Sequence, residues 1–231
     1  MTTLHYIFDP LCGWCYAAAP LISAARSFPG MRIEFHGGGM MTGPNARTIT
    51  PDWREYVMPH DLRIRQLTGQ PFGAAYFDGL LRDTTAVMDS APPTTAILAA
   101  QELAGQGLDM LHRLQHAHYA EGRRIADLQA LVELALEMGL DETAFAAAFA
   151  RLSGPATDRH FAESRKWLAR CGGQGFPTVA LQRDDGVLER IDLGRWLGRV
   201  DEWRAYLDSQ APSASQPSAV NPGCDTGGCA I

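Results

Sequence analysis

Two cysteines separated by two residues, placed where strand character gives way to helix character, constrain this chain more than any other feature. Leu4 to Phe8 is a short apolar run that stops at Asp9-Pro10, which is typical of a buried strand. From Tyr16 onward the chain is rich in alanine and other helix formers. Met31 to Phe35 then alternates apolar and polar residues, which is the strand period. The opening segment therefore predicts a parallel β–α–β unit with the cysteines at its strand–helix junction.

This junction gives the first cysteine, Cys12, a reactive environment. The start of a helix presents free backbone N–H groups and the positive end of the helix dipole, and both stabilise a thiolate. Cys15 lies one helical turn further on, where it can attack a mixed disulfide formed by Cys12. The spacing predicts a redox pair in which Cys12 is the nucleophile and Cys15 the resolving thiol, with Gly13 and Trp14 as the residues between them.

Two other interpretations of the motif compete with redox catalysis. A CxxC pair is half of many structural zinc sites, which need two further ligands at local spacing. In the neighbouring sequence only His5 and His36 offer such ligands, and no second CxxC lies close by. The other interpretation is a pair of inert, buried thiols. The strand–helix context favours redox chemistry, and we predict no metal site.

A long helical segment separates the opening unit from the rest of the predicted sheet. Apolar residues recur at helical spacing in five segments, which are 96–106, 108–121, 128–138, 142–152 and 157–170. Strand character returns at Thr178 to Gln182, a turn signal follows at Arg183 to Gly186, and Val187 to Ile191 is the partner strand. An amphipathic helix containing Trp203 ends the pattern. We predict an α/β fold in which residues 1–37 and 156–208 form a discontinuous sheet domain, residues 38–155 form a helical insertion, and residues 209–231 form a flexible tail.

A second motif, Gly175 to Val179, places Pro177 at the start of the returning strand. Proline is tolerated there because no hydrogen bond of the strand ladder is lost. A proline that merely initiates a strand is the simplest explanation. Together with an amino-terminal β–CxxC–α unit, however, a deliberate cis turn is favoured.

Composition and charge exclude several classes of protein. The chain has 231 residues and a formal net charge of -6, which argues against binding DNA or RNA. Its apolar runs are broken well before the roughly 18–20 residues that a membrane span requires. The amino terminus has neither a basic leader nor a long apolar stretch, so we expect a cytoplasmic protein. Five cysteines are too few for a secreted disulfide scaffold.

The order of these elements resembles the DsbA-type branch of the thioredoxin-fold proteins. The resemblance covers the architecture of residues 1–208. Two short motifs carry the resemblance at the level of sequence. The segment Asp9 to Tyr16 is similar to that of predicted cytosolic protein-disulfide isomerases of the FrnE-like group, and Phe176-Pro177 is a weaker second motif. The resemblance implies a thioredoxin fold with a large all-helical insertion between the second strand and the cis-proline strand.

The resemblance also implies a function and a site. The expected activity is disulfide reduction or isomerisation on protein or small-thiol substrates through a mixed disulfide. No cofactor is required beyond the cysteines, with glutathione as an expected co-substrate. Pro177 is expected to be cis and to lie against the Cys12–Cys15 pair, while the backbone of Phe176 binds extended substrate by strand addition, with Thr178 beside it. The sequence gives neither the natural substrate nor the oligomeric state.

One departure from the family and several alternatives remain. Many relatives carry proline or histidine between the cysteines, whereas this chain has Gly13-Trp14, so the direction of electron flow is not determined. A glutathione-dependent transferase or isomerase of the kappa or 2-hydroxychromene-2-carboxylate isomerase type shares the fold, although such proteins usually have serine at the first motif position. A metal-binding or chaperone-like protein is a further alternative. In the tail, Cys224 and Cys229 form a CX4C pair that we expect to act as an auxiliary redox pair, with metal capture or no specific role as the competing interpretations.

Overall fold

The computed structural model describes residues 2–210 of the chain. Its strands are β1 (Thr2–Phe8), β2 (Met31–Gly37), β3 (Arg47–Thr48), β4 (Val87–Met88), β5 (Thr178–Gln182) and β6 (Leu188–Ile191). Its α-helices are α1 (Gly13–Arg26), α2 (Pro51–Thr68), α3 (Ala91–Ala104), α4 (Gly107–Tyr119), α5 (Leu128–Glu137), α6 (Glu142–Leu152), α7 (Pro155–Arg170) and α8 (Val200–Gln210).

The main sheet has four strands in the order β2-β1-β5-β6. Strand β1 is central, parallel to β2 and antiparallel to β5, and β5 and β6 form an antiparallel hairpin. Leu4 illustrates the register, since it lies opposite Ile33 on one side and Leu181 on the other. The carboxyl end of β1 therefore meets the amino end of β5, and this end of the sheet carries the cysteine motif.

Helices cover both faces of the sheet, and the alternation of side chains along β1 decides what each face contacts. Tyr6 and Phe8 are fully buried in the core shared with α1. His5 points to the opposite face, where its ring stacks on Trp167 of α7 at a centroid distance of 4.0 Å. Helix α8 closes the α1 side through Trp203, whose indole N–H donates to the Leu21 carbonyl at 2.8 Å.

The structure confirms the predicted α/β fold of thioredoxin type with a helical insertion. It also confirms the predicted hairpin, β5–β6, and the closing amphipathic helix, α8. The sequence pattern does not predict helix α2. Only Asp61 and Ile64 are buried along it, so the helix has almost no apolar stripe to give a periodic signal. Local signals do mark its ends. Thr50 accepts a hydrogen bond from the Trp53 N–H at 3.1 Å as the N-cap, and Gly69 ends the helix at a φ of 72°.

Two further details differ from the prediction. The inserted segment contains, besides its helices, the short antiparallel pair β3–β4, which is too brief to give a sequence signal. Helix α8 runs to Gln210, so the predicted tail beginning at residue 209 starts within this helix. The predicted Cys224–Cys229 pair lies outside the described residues. In the described part of the chain, no helix combines the length and the apolarity needed to cross a bilayer.

Candidate active site

The sulfur of Cys12 caps the first turn of α1. Cys12 has extended backbone geometry, and its Sγ accepts the backbone N–H of Cys15 at 3.3 Å, which is the N-cap arrangement usually made by serine or aspartate. The Cys15 N–H and the positive end of the helix dipole therefore both point toward this sulfur. The junction thus places the predicted nucleophile in the environment that its chemistry needs.

Cys15 lies beneath this cap and is fully buried. Burial raises the pKa of the Cys15 thiol well above its usual range, the Cys12 side chain raises it further, and a backbone hydrogen bond from Asp9 lowers it in part. The Tyr6 hydroxyl donates to the Cys15 carbonyl at 3.2 Å and fixes this turn from below. Cys15 is therefore a protonated thiol at neutral pH. Both cysteines are free thiols in the structure.

The segment before β5 approaches Cys12 from the opposite side. The peptide bond between Phe176 and Pro177 is cis, as the resemblance implied. The Cys12 thiol donates to the Phe176 carbonyl at 3.4 Å. The Thr178 side chain is buried and its hydroxyl donates to the Gly175 carbonyl at 2.7 Å, so Thr178 holds the turn around Pro177.

The turn after β2 supports both halves of the site. A Cβ atom on Gly38 would lie 2.1 Å from the Phe176 ring, so only glycine lets this ring pack against the turn. Arg165 of α7 donates to the Gly39 carbonyl at 2.8 Å. The buried Asp9 carboxylate accepts the Met40 N–H at 2.6 Å. These contacts fix the backbone on which the Phe176 side chain rests.

The motif opens into a cleft of about 930 Å³ between the sheet domain and α2. Its floor is formed by Cys12, Gly13, Trp14 and Phe176. The wall contributed by α2 consists of Asp52, Trp53, Tyr56, Val57, His60, Asp61 and Ile64. A cavity of this size, lined by aromatic and apolar groups with a few polar ones, accommodates a peptide-sized ligand beside the nucleophilic sulfur.

Asp61 is a site residue that sequence reasoning missed. It is buried, and one carboxylate oxygen lies so close to the motif that a Cβ on Gly13 would be 2.9 Å from it. The other oxygen accepts the Tyr76 hydroxyl at 2.8 Å. Burial raises the pKa of Asp61 to about 7, and the Tyr76 hydrogen bond opposes that shift. From the sequence alone, the acidic residues of the helical segment are interpreted as solvent-exposed. Only the packing of α2 shows that Asp61 is buried.

The structure brings together the predicted residues Cys12, Gly13, Trp14, Cys15 and Phe176, with Pro177 and Thr178 directly behind them. It does not bring His5 or His36 to the cysteines, because both lie on the α7 side of the sheet. A helix-capping cysteine with a buried partner one turn on, set against a cis-proline turn in a thioredoxin fold, defines the class of thiol–disulfide oxidoreductases.

Comparison with known proteins narrows this class. The family of DSBA-like thioredoxin domains matches the chain over residues 3–201. The chain therefore belongs to the DSBA-like thioredoxin domain family. The comparison with curated protein sequences gave no match.

Solved structures show the same relationship. The chain is 58% identical to the cytosolic disulfide reductase DsbM from Pseudomonas aeruginosa, with a TM-score of 0.84 over 90% of this chain and 98% of that one. A structure of DsbM with GSH aligns at 56% identity and a TM-score of 0.83, over the same shares of both chains. A putative protein disulfide isomerase from Nitrosomonas europaea shares the fold at 23% identity, with a TM-score of 0.72 over 90% of this chain and 96% of that one.

Proposed function

We propose that this oxidoreductase is a cytoplasmic disulfide reductase that acts on protein or small-thiol disulfides and is itself reduced by glutathione. The observation that carries the proposal is the Cys12 sulfur, which caps α1 through the Cys15 N–H at 3.3 Å and opens into the cleft. The likeness to DsbM, described as a cytosolic disulfide reductase and solved with GSH, supports the direction of electron flow and the choice of reductant.

The chemistry proceeds in two exchanges. The Cys12 thiolate attacks one sulfur of the substrate disulfide and forms a mixed disulfide with it. The other substrate sulfur leaves as a thiolate, which takes up a proton and becomes a thiol. Cys15 then attacks the Cys12 sulfur, so that the substrate leaves as its second thiol and the Cys12–Cys15 disulfide forms. Two glutathione molecules reduce this disulfide in the same manner and leave as glutathione disulfide.

Resolution requires the buried Cys15 to lose its proton. The contributions of the Cys12 side chain that raise the pKa of Cys15 come from the free thiol or thiolate of Cys12. When Cys12 is bonded to substrate it carries neither charge nor proton, so these contributions disappear and Cys15 ionises more readily. Mixed-disulfide formation therefore activates the second thiol, and the Asp9 backbone N–H stabilises the thiolate that results.

Substrate orientation is assigned to the turn before β5. The Phe176 backbone lies beside the Cys12 sulfur, and we propose that an extended substrate segment pairs with it as an added strand. The apolar side chains of Trp14 and Val57 line the adjoining cleft. Glutathione, which is itself a short extended peptide, fits the same mode of binding.

The proposal is tested by trapping the intermediate. The Cys15→Ser variant, in a background carrying Cys224→Ser and Cys229→Ser, is incubated with glutathione disulfide and analysed by peptide mass spectrometry. We expect a stable glutathione adduct on Cys12 and loss of insulin reduction. The Cys171→Ser variant is the matched control and retains activity. An adduct on Cys171 instead of Cys12, or insulin reduction that survives Cys12→Ser, would contradict the assignment.

A further inference from the structure

A second cluster of metal-ligating side chains lies on the α7 side of the sheet, away from the cleft. His5 of β1 lies opposite Glu34 of β2 in the strand register, and His36 follows two residues later on β2. Because side chains alternate along a strand, His5, Glu34 and His36 share one face. The pairing of two parallel strands thus assembles two imidazoles and a carboxylate that are remote in sequence.

The three side chains converge at distances suited to a common ion. The Nδ1 atom of His5 lies 3.1 Å from the Nε2 atom of His36 and 3.6 Å from a carboxylate oxygen of Glu34. One ligand atom from each residue lies within 4.8 Å of the other two. Zinc–ligand bonds of roughly 2.0–2.2 Å in tetrahedral geometry place neighbouring ligands about 3.3–3.6 Å apart. The observed separations are therefore close to the edges of a zinc tetrahedron.

Gln182 of β5 orients the first imidazole. The Nε2 atom of His5 lies 2.9 Å from the Gln182 side-chain oxygen, which can only accept, so Nε2 carries the proton. The Nδ1 atom of His5 therefore accepts the Nε2–H of His36, and a bound ion would displace that proton and take both lone pairs. A hydrogen bond from the second ring nitrogen to a carbonyl is the usual support of a metal-bound histidine.

The surroundings keep both rings fixed and leave the carboxylate accessible. His5 stacks on Trp167 at 4.0 Å, and His36 lies 5.1 Å from the same ring. Glu34 is partly exposed, which gives an ion a path from solvent.

We propose that His5, Glu34 and His36 form a binding site for a zinc ion that is separate from the Cys12–Cys15 pair. Two imidazoles and a carboxylate are a common donor set for Zn²⁺, and water completes the fourth position. Such an ion would link the inner strand β1 to the edge strand β2. This site does not depend on the proposed redox function, because none of its ligands contacts the cleft.

Neighbouring groups define the limits of the site. Arg32 pairs with one oxygen of Glu34 and leaves the other facing His5. His160 of α7 accepts the Gly37 N–H at 3.0 Å through Nε2, so this lone pair is already used and His160 is not a ligand. The predicted ligand set therefore consists of three protein residues.

The experiment must exclude zinc binding by thiols. A full-length thiol-free variant is made in which Cys12, Cys15, Cys224 and Cys229 become serine and Cys171 becomes alanine. Its titration with zinc chloride is followed by calorimetry, and Co²⁺ absorption reports the ligand type. We expect one zinc equivalent per chain and a four-coordinate Co²⁺ spectrum without thiolate charge-transfer bands.

Substitutions in the same background locate the ion. Glu34→Gln is expected to raise the zinc Kd at least about tenfold, and His36→Gln to raise it further. His116→Gln, which alters an exposed histidine of α4, leaves the Kd unchanged. Glu34 is partly exposed, so its variant remains informative even if His36→Gln fails to fold. Absence of one-to-one binding in the thiol-free variant, or an unchanged Kd in Glu34→Gln, overturns the site while leaving reductase activity of the native chain untouched.

Discussion

The Cys12 thiol donates a hydrogen bond to the Phe176 carbonyl at 3.4 Å, although the two residues lie 164 positions apart in the chain. The pairing of β1 with β5 creates this contact, because Ile7 lies opposite Thr178 at the end of the ladder. The reactive sulfur and the backbone assigned to substrate binding are therefore positioned by one strand register. A shift of that register would separate them.

The thiols should differ in reactivity. All three side chains are largely buried, but Cys12 borders the cleft, whereas burial raises the pKa of both Cys15 and Cys171. Because alkylation requires an accessible thiolate, iodoacetamide at pH 7 should modify Cys12 at least about tenfold faster than the other two. Peptide mass spectrometry of the reduced protein carrying Cys224→Ser and Cys229→Ser measures these rates. Equal labelling of Cys12 and Cys15 would contradict the assignment of roles.

Replacing Gly38 should disturb both stability and turnover. In Gly38→Ala the new methyl group would lie 2.1 Å from the Phe176 ring, so this side chain must move. We expect a loss of about 1–3 kcal/mol in the free energy of unfolding and a several-fold slower reduction of insulin. Gly175→Ala is the control for stability, because a Cβ there meets no atom within 4 Å. A Gly38→Ala protein as stable as the control would show that the ring relocates freely.

Asp61 should make the protein less stable as the pH rises. An aspartate carboxyl ordinarily has a pKa of 3.8, whereas burial raises the pKa of Asp61 to about 7, so the folded state binds the proton more tightly than the unfolded state. Stability from this group is fully present below about pH 4 and is lost between about pH 4 and 7. Asp61→Asn removes the effect, so its free energy of unfolding should exceed that of the native chain at pH 8 by on the order of 3 kcal/mol.

Urea unfolding at pH 5 and pH 8 measures this difference. The gain from Asp61→Asn should be smaller at pH 5, where the native carboxyl is still largely protonated in the folded state. Asp208→Asn, at an exposed position of α8, should change stability little at either pH. A pH-independent effect of Asp61→Asn would mean that Asp61 is not the titrating group.

The contact between α8 and α1 should contribute strongly to folding. Trp203 is fully buried and donates its indole N–H to the Leu21 carbonyl. Trp203→Phe loses this additional hydrogen bond to the Leu21 carbonyl and part of the buried ring, so we expect a loss of about 1–3 kcal/mol in the free energy of thermal or urea unfolding. Trp196→Phe, at a partly buried ring on the same side, should lose less. A reversed order would contradict the role of this hydrogen bond.

Local sequence determined the redox motif and much of the fold. The run from Leu4 to Phe8, the CxxC spacing and the helix formers after Cys15 suffice for a β–α–β unit with a sulfur at a helix start, because these features depend on neighbouring residues alone. The hairpin around Gly186 and the closing helix containing Trp203 follow from turn chemistry and apolar periodicity in the same way.

Tertiary structure decided everything that depends on distant residues meeting. Sequence periodicity does not reveal that α2 turns Asp61 toward Gly13, because a helix with two buried residues gives almost no apolar pattern. Sequence periodicity likewise does not indicate that His5 and His36 lie near Glu34 and away from the cysteines. That grouping follows from the register of β1 and β2 and from the alternation of side chains along each strand. The residue types fix what chemistry is available, whereas the packing of sheet and helices fixes which of those groups share a site, because contact distances are set by the whole chain.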